Sequence, residues 1–349
     1  MRIAISGASG YIGQHLSSFL EGKGYDVIPL GRDLFKEDCF DELCRCVESC
    51  EVVINLAGAS INKRWTEAYK QELYDSRICV TRQLVHAINT RSVKLELFIS
   101  ASAVGYYPAF GEYDEYHDCR GMDFLARLCG AWEEEASACS SDVRLVITRF
   151  GVVLSEDGGA LKEMLRLQRF SRVSVVIGNG QQRFPWISLF DLCRSFGYII
   201  RNRQMRGVVN LVSPDLITQK QLAHTLARAD KIRRIIPLPE FFFRLKFGEG
   251  ASFVTKGQTV HPSKLQESGF TYIYPTIEKL MNITDHHTVP ELDIKRYMGR
   301  WYEIARYENH FERGMTDVTA TYTLLPDGKI RVENEGYKGC LLYTSDAAD

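Results

Sequence analysis

The chain has 349 residues, 45% of them hydrophobic and 25% charged, with 43 Lys and Arg against 44 Asp and Glu. A net charge of −1 leaves no electrostatic footprint for a nucleic acid or an acidic membrane, and no apolar run reaches the ~18 residues that a spanning helix needs. What remains is an ordinary globular chain of roughly two domains with a small-molecule partner, and nothing in the sequence sets its oligomeric state.

Arg2-Ile3-Ala4-Ile5-Ser6 is an apolar, β-branched run and predicts a first strand. It leads into Gly7-Ala8-Ser9-Gly10-Tyr11-Ile12-Gly13, after which Leu16, Phe19 and Leu20 recur at helical spacing. Strand, glycine turn and helix in this order suit a dinucleotide pyrophosphate, which sits on free N–H groups at a helix N-terminus. The chain would turn tightly at Gly7, approach the phosphates near Gly10 and pack helix on strand at Gly13. The spacing G-x-x-G-x-x-G is a variant of the usual fingerprint, and an ordinary tight turn is the competing reading.

Tyr25 to Leu30 predicts a second strand, followed by Gly31-Arg32. An acidic residue at this point holds a ribose 2′-hydroxyl, whereas arginine accommodates a 2′-phosphate, so Arg32 favours NADP, with Asp33 beside it pulling the other way. Residues 40–50 predict a helix. Glu51 to Gly58 is a continuous apolar run of the kind buried on both faces, ending in small residues that let a cofactor approach the backbone. A long helix from Glu67 to Asn89, a strand from Leu95 to Ser100, a helix from Asp123 to Ala138 and a strand from Val143 to Phe150 follow. Strands alternating with helices indicate an α/β fold, a doubly wound parallel Rossmann sheet.

Beyond it, Gly178 to Trp186 reads as a loop over a substrate cleft. Leu189 to Ile200 reads as a helix, Val208 to Val212 as a strand, and Thr218 to Arg228 as a helix with Thr218 as its N-cap. Ten cysteines lack paired spacing, and the group Cys39, Cys44, Cys46 and Cys50 has neither a C-x-x-C pair nor a nearby histidine, so no metal is assigned. Met1 enters the first strand almost at once, and a cytoplasmic location is expected.

GASGYIG, NLAGASINKRWTEAYKQELYDSR, SASAVGYY, DFLARLCGAWE, RFGVVL and GNGQQRFPWISLFDL together resemble the epimerase-like, atypical branch of the short-chain dehydrogenase/reductase superfamily, over residues 1–281. The resemblance implies that Gly7, Ala8, Gly10, Tyr11, Ile12 and Gly13 hold the pyrophosphate of NADP(H) and Arg32 its 2′-phosphate. Leu56, Ala57 and Gly58 would flank the cofactor, with Glu72, Arg77 and Arg149 beside it. For Glu72 and Arg77 a surface ion pair is the alternative; for Trp186 and Asp191 it is core packing, and His261 reads as structural.

Active relatives in that superfamily carry Y-x-x-x-K, a tyrosine acid/base with a lysine one turn later that lowers its pKa. This chain has Leu125 and Cys129 in those places. Ser102 and Tyr106 remain as the candidate catalytic residues, and Cys129 reads as an inert buried thiol.

After a short polar break at 284–290, the stretch from Tyr297 to Tyr307 resembles the opening of a bacterial lipocalin, with Gly299-Arg300-Trp301 as its G-x-W mark. Residues 318–337 predict a hairpin turned at Asp327-Gly328. Such a barrel needs eight strands and roughly three are present, so the piece at 291–338 reads as a truncated lipocalin fragment, and 339–349 as a non-native tail. The expected organisation is a dinucleotide-binding domain at 1–165 with its core continuing into 166–215, a substrate-side lobe at 216–283, a linker and the fragment. Two functions stay open: an NADP-dependent epimerase or oxidoreductase acting on a small carbonyl or sugar-like substrate, and an inactive NADP(H)-binding sensor or scaffold.

Overall fold

Six parallel strands form the central sheet of the computed structural model, which describes residues 1–92, 95–283, 298–302, 316–325, 329–338 and 341–346. They are β1 (Arg2–Ser6), β2 (Asp26–Leu30), β3 (Val52–Asn55), β4 (Leu97–Ala103), β5 (Arg144–Phe150) and β6 (Gly207–Leu211). Their order across the sheet is β6-β5-β4-β3-β1-β2. The chain therefore lays β2 on one side of β1 and then crosses to β3 on the other, which makes the β1/β3 boundary a topological switch point. In open α/β sheets the crevice outside the carboxyl ends of the strands at such a point takes the ligand.

The helices are α1 (Tyr11–Glu21), α2 (Phe40–Glu48), α3 (Glu67–Thr90), α4 (Phe124–Ser137), α5 (Gly159–Ser171), α6 (Leu189–Arg201) and α7 (Gln219–Ala229), with shorter turns between and after them. Alternation along the strands sends Ile3, Ile5 and Ile54 to one face, where they meet Leu16 and Leu20 of α1 and Leu192 and Phe196 of α6. Ala4, Val53 and Phe98 point the other way, onto Leu43 and Val47 of α2 and Leu84, Val85 and Ile88 of α3. Both faces are thus covered, as a parallel sheet requires. Full burial of each such side chain stabilises the fold by roughly 1.5–3 kcal/mol before entropy is counted.

A smaller lobe is built from two stretches, 152–186 and 213–283. Val173–Ile177 pairs in parallel with Arg234–Leu238, and Val152–Ser155 with Trp186–Ser188. Its core joins Leu161 and Leu165 of α5 to Leu222 and Leu226 of α7 around Trp186, Ile217 and Ile277. Thr218 caps α7 as expected: its hydroxyl accepts from the Gln221 N–H while the Gln221 side chain accepts from the Thr218 N–H, a complete capping box.

The chain divides into two units, 1–284 and 285–349. In the second, Gly299–Tyr302, Thr316–Leu324, Ile330–Lys338 and Leu341–Asp346 form an antiparallel sheet in chain order. The last of these strands falls within the stretch read as a tail. Gly299 has φ +115°, the conformation that asks for glycine at the start of the G-x-W mark, and the Trp301 side chain is half exposed. The expected linker at 284–290, the hairpin turn at Asp327-Gly328 and residues 347–349 lie outside the described residues.

Candidate functional site

Gly7 leaves β1 at φ +74°, and a Cβ there would lie 2.7 Å from the Leu56 carbonyl oxygen at the end of β3. Both the backbone angle and the contact demand glycine. A Cβ at Gly13 would lie 2.2 Å from the Gly7 carbonyl oxygen, so this position sets how closely α1 packs on the turn. Gly10 differs: its φ is −73°, and the nearest atom to a Cβ there is the Gly7 oxygen at 3.2 Å. It caps α1 without any side-chain acceptor, which leaves the first turn of the helix open towards the crevice. The peptide dipoles of α1 add about half a positive charge at that end. Turn, open helix end and switch point coincide, and they fit a pyrophosphate.

Behind the turn a buried polar chain fixes the end of β3. The Ser6 hydroxyl donates to Asn55 Oδ1 (2.7 Å), Asn55 Nδ2 donates to Thr81 Oγ1 (2.8 Å), and Thr81 donates to the Arg77 carbonyl (2.7 Å). Trp132 Nε1 donates to the same Thr81 oxygen (2.9 Å), and the Ala57 N–H to Asn55 Oδ1 (3.3 Å). Arg77 is turned inward, donating to the carbonyls of Ala59 (2.9 Å) and Leu73 (3.1 Å), and burial lowers its pKa. A Cβ at Gly58 would meet this guanidinium at 2.9 Å. Arg77 thereby holds the 57–59 backbone in place, while Glu72 is exposed on α3 and the two form no pair. Tyr11 packs its ring where a Cβ at Gly158 would lie, 2.3 Å away, and its hydroxyl is buried without a partner. Sequence reasoning missed Gly158, which carries no local signal of that contact.

Arg32 follows β2 at the start of a short 3-10 turn, exposed and without a hydrogen bond or ion pair to any described residue. Its neighbour Asp33 is paired with Lys36, which draws Asp33's pKa down. Between the two opposed signals, the cation is the one left unengaged.

A second cluster lies at the ends of β4 and β5. The Ser102 hydroxyl donates to Glu133 Oε1 of α4 (2.6 Å), and Arg149 grips the same carboxylate through Nε (2.8 Å) and Nη2 (2.7 Å). All three side chains are buried. Burial works against the Arg149 charge, but the Glu133 hydrogen bonds and charge outweigh it and hold its pKa above the ordinary arginine value. The guanidinium lies 3.5 Å from the centre of the Tyr106 ring and 4.7 Å from that of Tyr107. Burial raises the pKa of Tyr106, against the pull of Arg149, and its hydroxyl donates to Asp118 Oδ1 at 3.3 Å. A cleft of about 550 Å³ opens beside Tyr106, Asp118, Glu133 and Arg149, and no residue of the glycine turn lines it. A hydroxyl has one proton, so Ser102, donating to Glu133, presents only lone pairs elsewhere. The single proton of Tyr106 is likewise committed, to Asp118, but over a longer bond (3.3 Å against 2.6 Å), and is the more easily released of the two.

Leu125 and Cys129 stand on α4 in front of this cluster, both packed close to Gly105. Burial pushes the Cys129 thiol up to about 12, which makes it an inert core group. Trp186 is fully buried in the lobe core. The carboxylate of Asp191 accepts from the N–H groups of Ile273 (2.9 Å) and Tyr274 (2.7 Å) and from Arg194 (2.9 Å), so it ties α6 to the 271–274 segment. His261 pairs with Glu112 (2.5 Å). The nine cysteines among the described residues are free thiols, and no His, Cys, Asp or Glu group there has the makings of a metal site. No described helix is long and apolar enough to cross a membrane.

Comparison with known proteins gives three matches to family models. One described as the NAD dependent epimerase/dehydratase family matches residues 3–211, one described as a domain of unknown function (DUF1731) matches 238–282, and one described as a lipocalin-like domain matches 292–344. The chain is similar to the chloroplastic "epimerase family protein SDR39U1 homolog" of Arabidopsis thaliana, with 33% identity over 297 residues, 80% of this chain and 85% of that one. It is also similar to "epimerase family protein YfhF" of Bacillus subtilis, with 34% identity over 307 residues, 83% of this chain and all of that one. Among solved structures, human epimerase family protein SDR39U1 (isoform 2) with NADPH superposes with a TM-score of 0.74 at 32% identity, covering 81% of this chain and 98% of that one.

Proposed function

The chain belongs to the NAD dependent epimerase/dehydratase family, and from that membership we propose that it binds NADP(H) and acts, epimerase-like or reductase-like, on a small carbonyl or sugar-like substrate. The observation that carries the reading is the glycine turn at the switch point, with α1 open and Arg32 unengaged beside it. The human relative was crystallised with NADPH, which supports the same choice of cofactor. In this reading Gly7, Ala8, Gly10, Tyr11, Ile12 and Gly13 hold the pyrophosphate, and Arg32 takes the 2′-phosphate. Leu56, Ala57 and Gly58 border the nicotinamide side. Of the expected cofactor domain, 1–165 with its core continuing to 215, the six-stranded sheet and its helices serve the cofactor, while 152–186 packs with the lobe expected at 216–283 and shapes substrate choice with it. A cytoplasmic, reducing location fits ten cysteines without a C-x-x-C pair.

The bound cofactor would supply hydride chemistry. Tyr106, a phenol and so protonated at neutral pH, would turn its hydroxyl from Asp118 to donate a hydrogen bond to a substrate carbonyl oxygen. Arg149, fixed by Glu133, would hold that ring in place. The second reading, an NADP(H)-binding sensor or scaffold, is favoured by Leu125 and Cys129, which can supply neither a proton nor a cation where active relatives keep theirs.

Calorimetric titration of the full chain with NADPH and NADH tests the proposal. NADPH should bind more tightly, and Arg32→Ala should cost about tenfold or more for NADPH with little change for NADH, as loss of one charge-assisted phosphate contact implies. Equal affinity for both nucleotides in both proteins would remove Arg32 from the site. A screen for NADPH oxidation over aldehydes, ketones and nucleotide sugars then separates enzyme from sensor: turnover that Tyr106→Phe abolishes supports the first, and tight binding with no turnover supports the second.

A further inference from the structure

The balanced total charge conceals a segregated patch on the smaller lobe. Residues 166–172 and 228–234 together hold seven Lys and Arg and one acid, Asp230. The ends of α5 and α7 bring the two stretches together around a cleft of about 330 Å³, lined by Ser171, Arg172, Lys231, Ile232, Arg233 and Arg234. Arg169 is paired with Asp230, and Arg166 with Glu163. Arg172, Arg228, Lys231, Arg233 and Arg234 are exposed and form no ion pair with any described residue, and all of them but Arg228 line the cleft. Cations near helix C-termini answer the helix dipole, but two helix ends offer only about one negative charge in total. About four positive charges are left over.

The last turns of α5, which lead into Ser171 and Arg172 of the cleft, also expose apolar side chains. Leu167 and Phe170, three residues apart on one side of α5, are 59% and 91% exposed. A small anion seated deep in the cleft would face the negative ends of both helices. A layer of phosphates outside it would meet the tips of the four cations, with Leu167 and Phe170 free to enter the apolar zone below. Unpaired cations beside an exposed Leu and Phe are the composition of a surface that lies on an anionic bilayer.

We propose that the exposed face of α5, with the Arg172, Lys231, Arg233 and Arg234 rim, docks this protein on the surface of a membrane rich in anionic phospholipid. Contact is peripheral, with headgroup phosphates on the rim and Leu167 and Phe170 at the acyl boundary. This surface shares no residue with the proposed cofactor site and does not depend on it.

Sedimentation of the full chain with vesicles tests the proposal, using phosphatidylcholine alone and phosphatidylcholine mixed with phosphatidylserine. Binding is expected only to the mixed vesicles and should weaken as salt is raised to about 0.5 M. Each surface cation contributes roughly fivefold to partitioning, so Arg233→Ala with Arg234→Ala should lower it about 25-fold. Leu167→Ser with Phe170→Ser should lower it by a comparable factor while leaving the salt dependence intact. All four positions are exposed, and melting and NADPH titration of each variant should match the parent chain. Sedimentation with neither vesicle, equal sedimentation with both, or binding that both double variants retain would overturn the proposal. So would calorimetric binding of inorganic phosphate without vesicle binding, which would make the cleft a site for soluble anions.

Discussion

Glu115 sits where burial opposes its charge. Its carboxylate accepts from the backbone N–H of Asn210 (2.9 Å) and of Lys264 (3.4 Å), yet desolvation outweighs both bonds and raises its pKa above the ordinary 4.5. A carboxylate whose folded pKa is raised opposes folding once the unfolded chain ionises: its cost is absent below 4.5, grows as pH climbs towards the folded value and is complete above it. Glu115→Gln should therefore raise the melting temperature at pH 7.5 and leave it near the parent value at pH 4. An equal gain at both pH values would show that packing, not charge, governs the site. Single residues were legible where their chemistry is local, as with Thr218 before its helix or Gly7 after its strand. Ser102 was not, because its only proton goes to Glu133, 31 residues away.

At the scale of elements, Glu133 works as a staple. From α4 it receives Ser102 of β4 and Arg149 of β5 at once, and no other described acid reaches Arg149. Removing one partner of a buried pair strands the other, so Glu133→Ala should cost about 3–5 kcal/mol in denaturant unfolding. A loss below about 1 kcal/mol would mean that water already reaches the guanidinium. The main-sheet strands and the helices packed on it were readable from apolar runs and caps to within about three residues, the ends of β3 and β4 being the farthest off. The pair α5 and Val173–Ile177 was not, and the reason is physical. Gln168 occupies a core position of α5, satisfied by the Leu226 carbonyl and Asp230 (both 2.9 Å), and so interrupts the apolar period that announces a helix. The approach of α5 to α7 is likewise a long-range fact, and with it the cationic rim.

In the molecule as a whole, the order of strands decides where a ligand can sit. The sheet reverses between β1 and β3, Gly7 presses against Leu56 at that boundary, and Ser6, Asn55 and Thr81 hold the boundary rigid from behind. Motif order made this part of the site readable in advance. The fate of the chemistry was readable only as a loss, in Leu125 and Cys129, and the Glu133–Arg149–Tyr106 arrangement emerged from the fold. The central claim is that the turn exists for a pyrophosphate and not merely for the fold, and Gly10 separates the two. Its backbone angle suits any residue, and a Cβ would lie 3.2 Å from the Gly7 carbonyl oxygen, which must give by a few tenths of an ångström; in the proposed reading that Cβ would stand where the phosphates approach the backbone. The decisive measurement is NADPH titration of Gly10→Ala against the parent chain, alongside thermal melts of both without ligand. Unchanged melting with affinity reduced about a hundredfold, roughly 2.8 kcal/mol, is the predicted result. Parent-like NADPH binding by Gly10→Ala, or no binding by the parent chain, would contradict it.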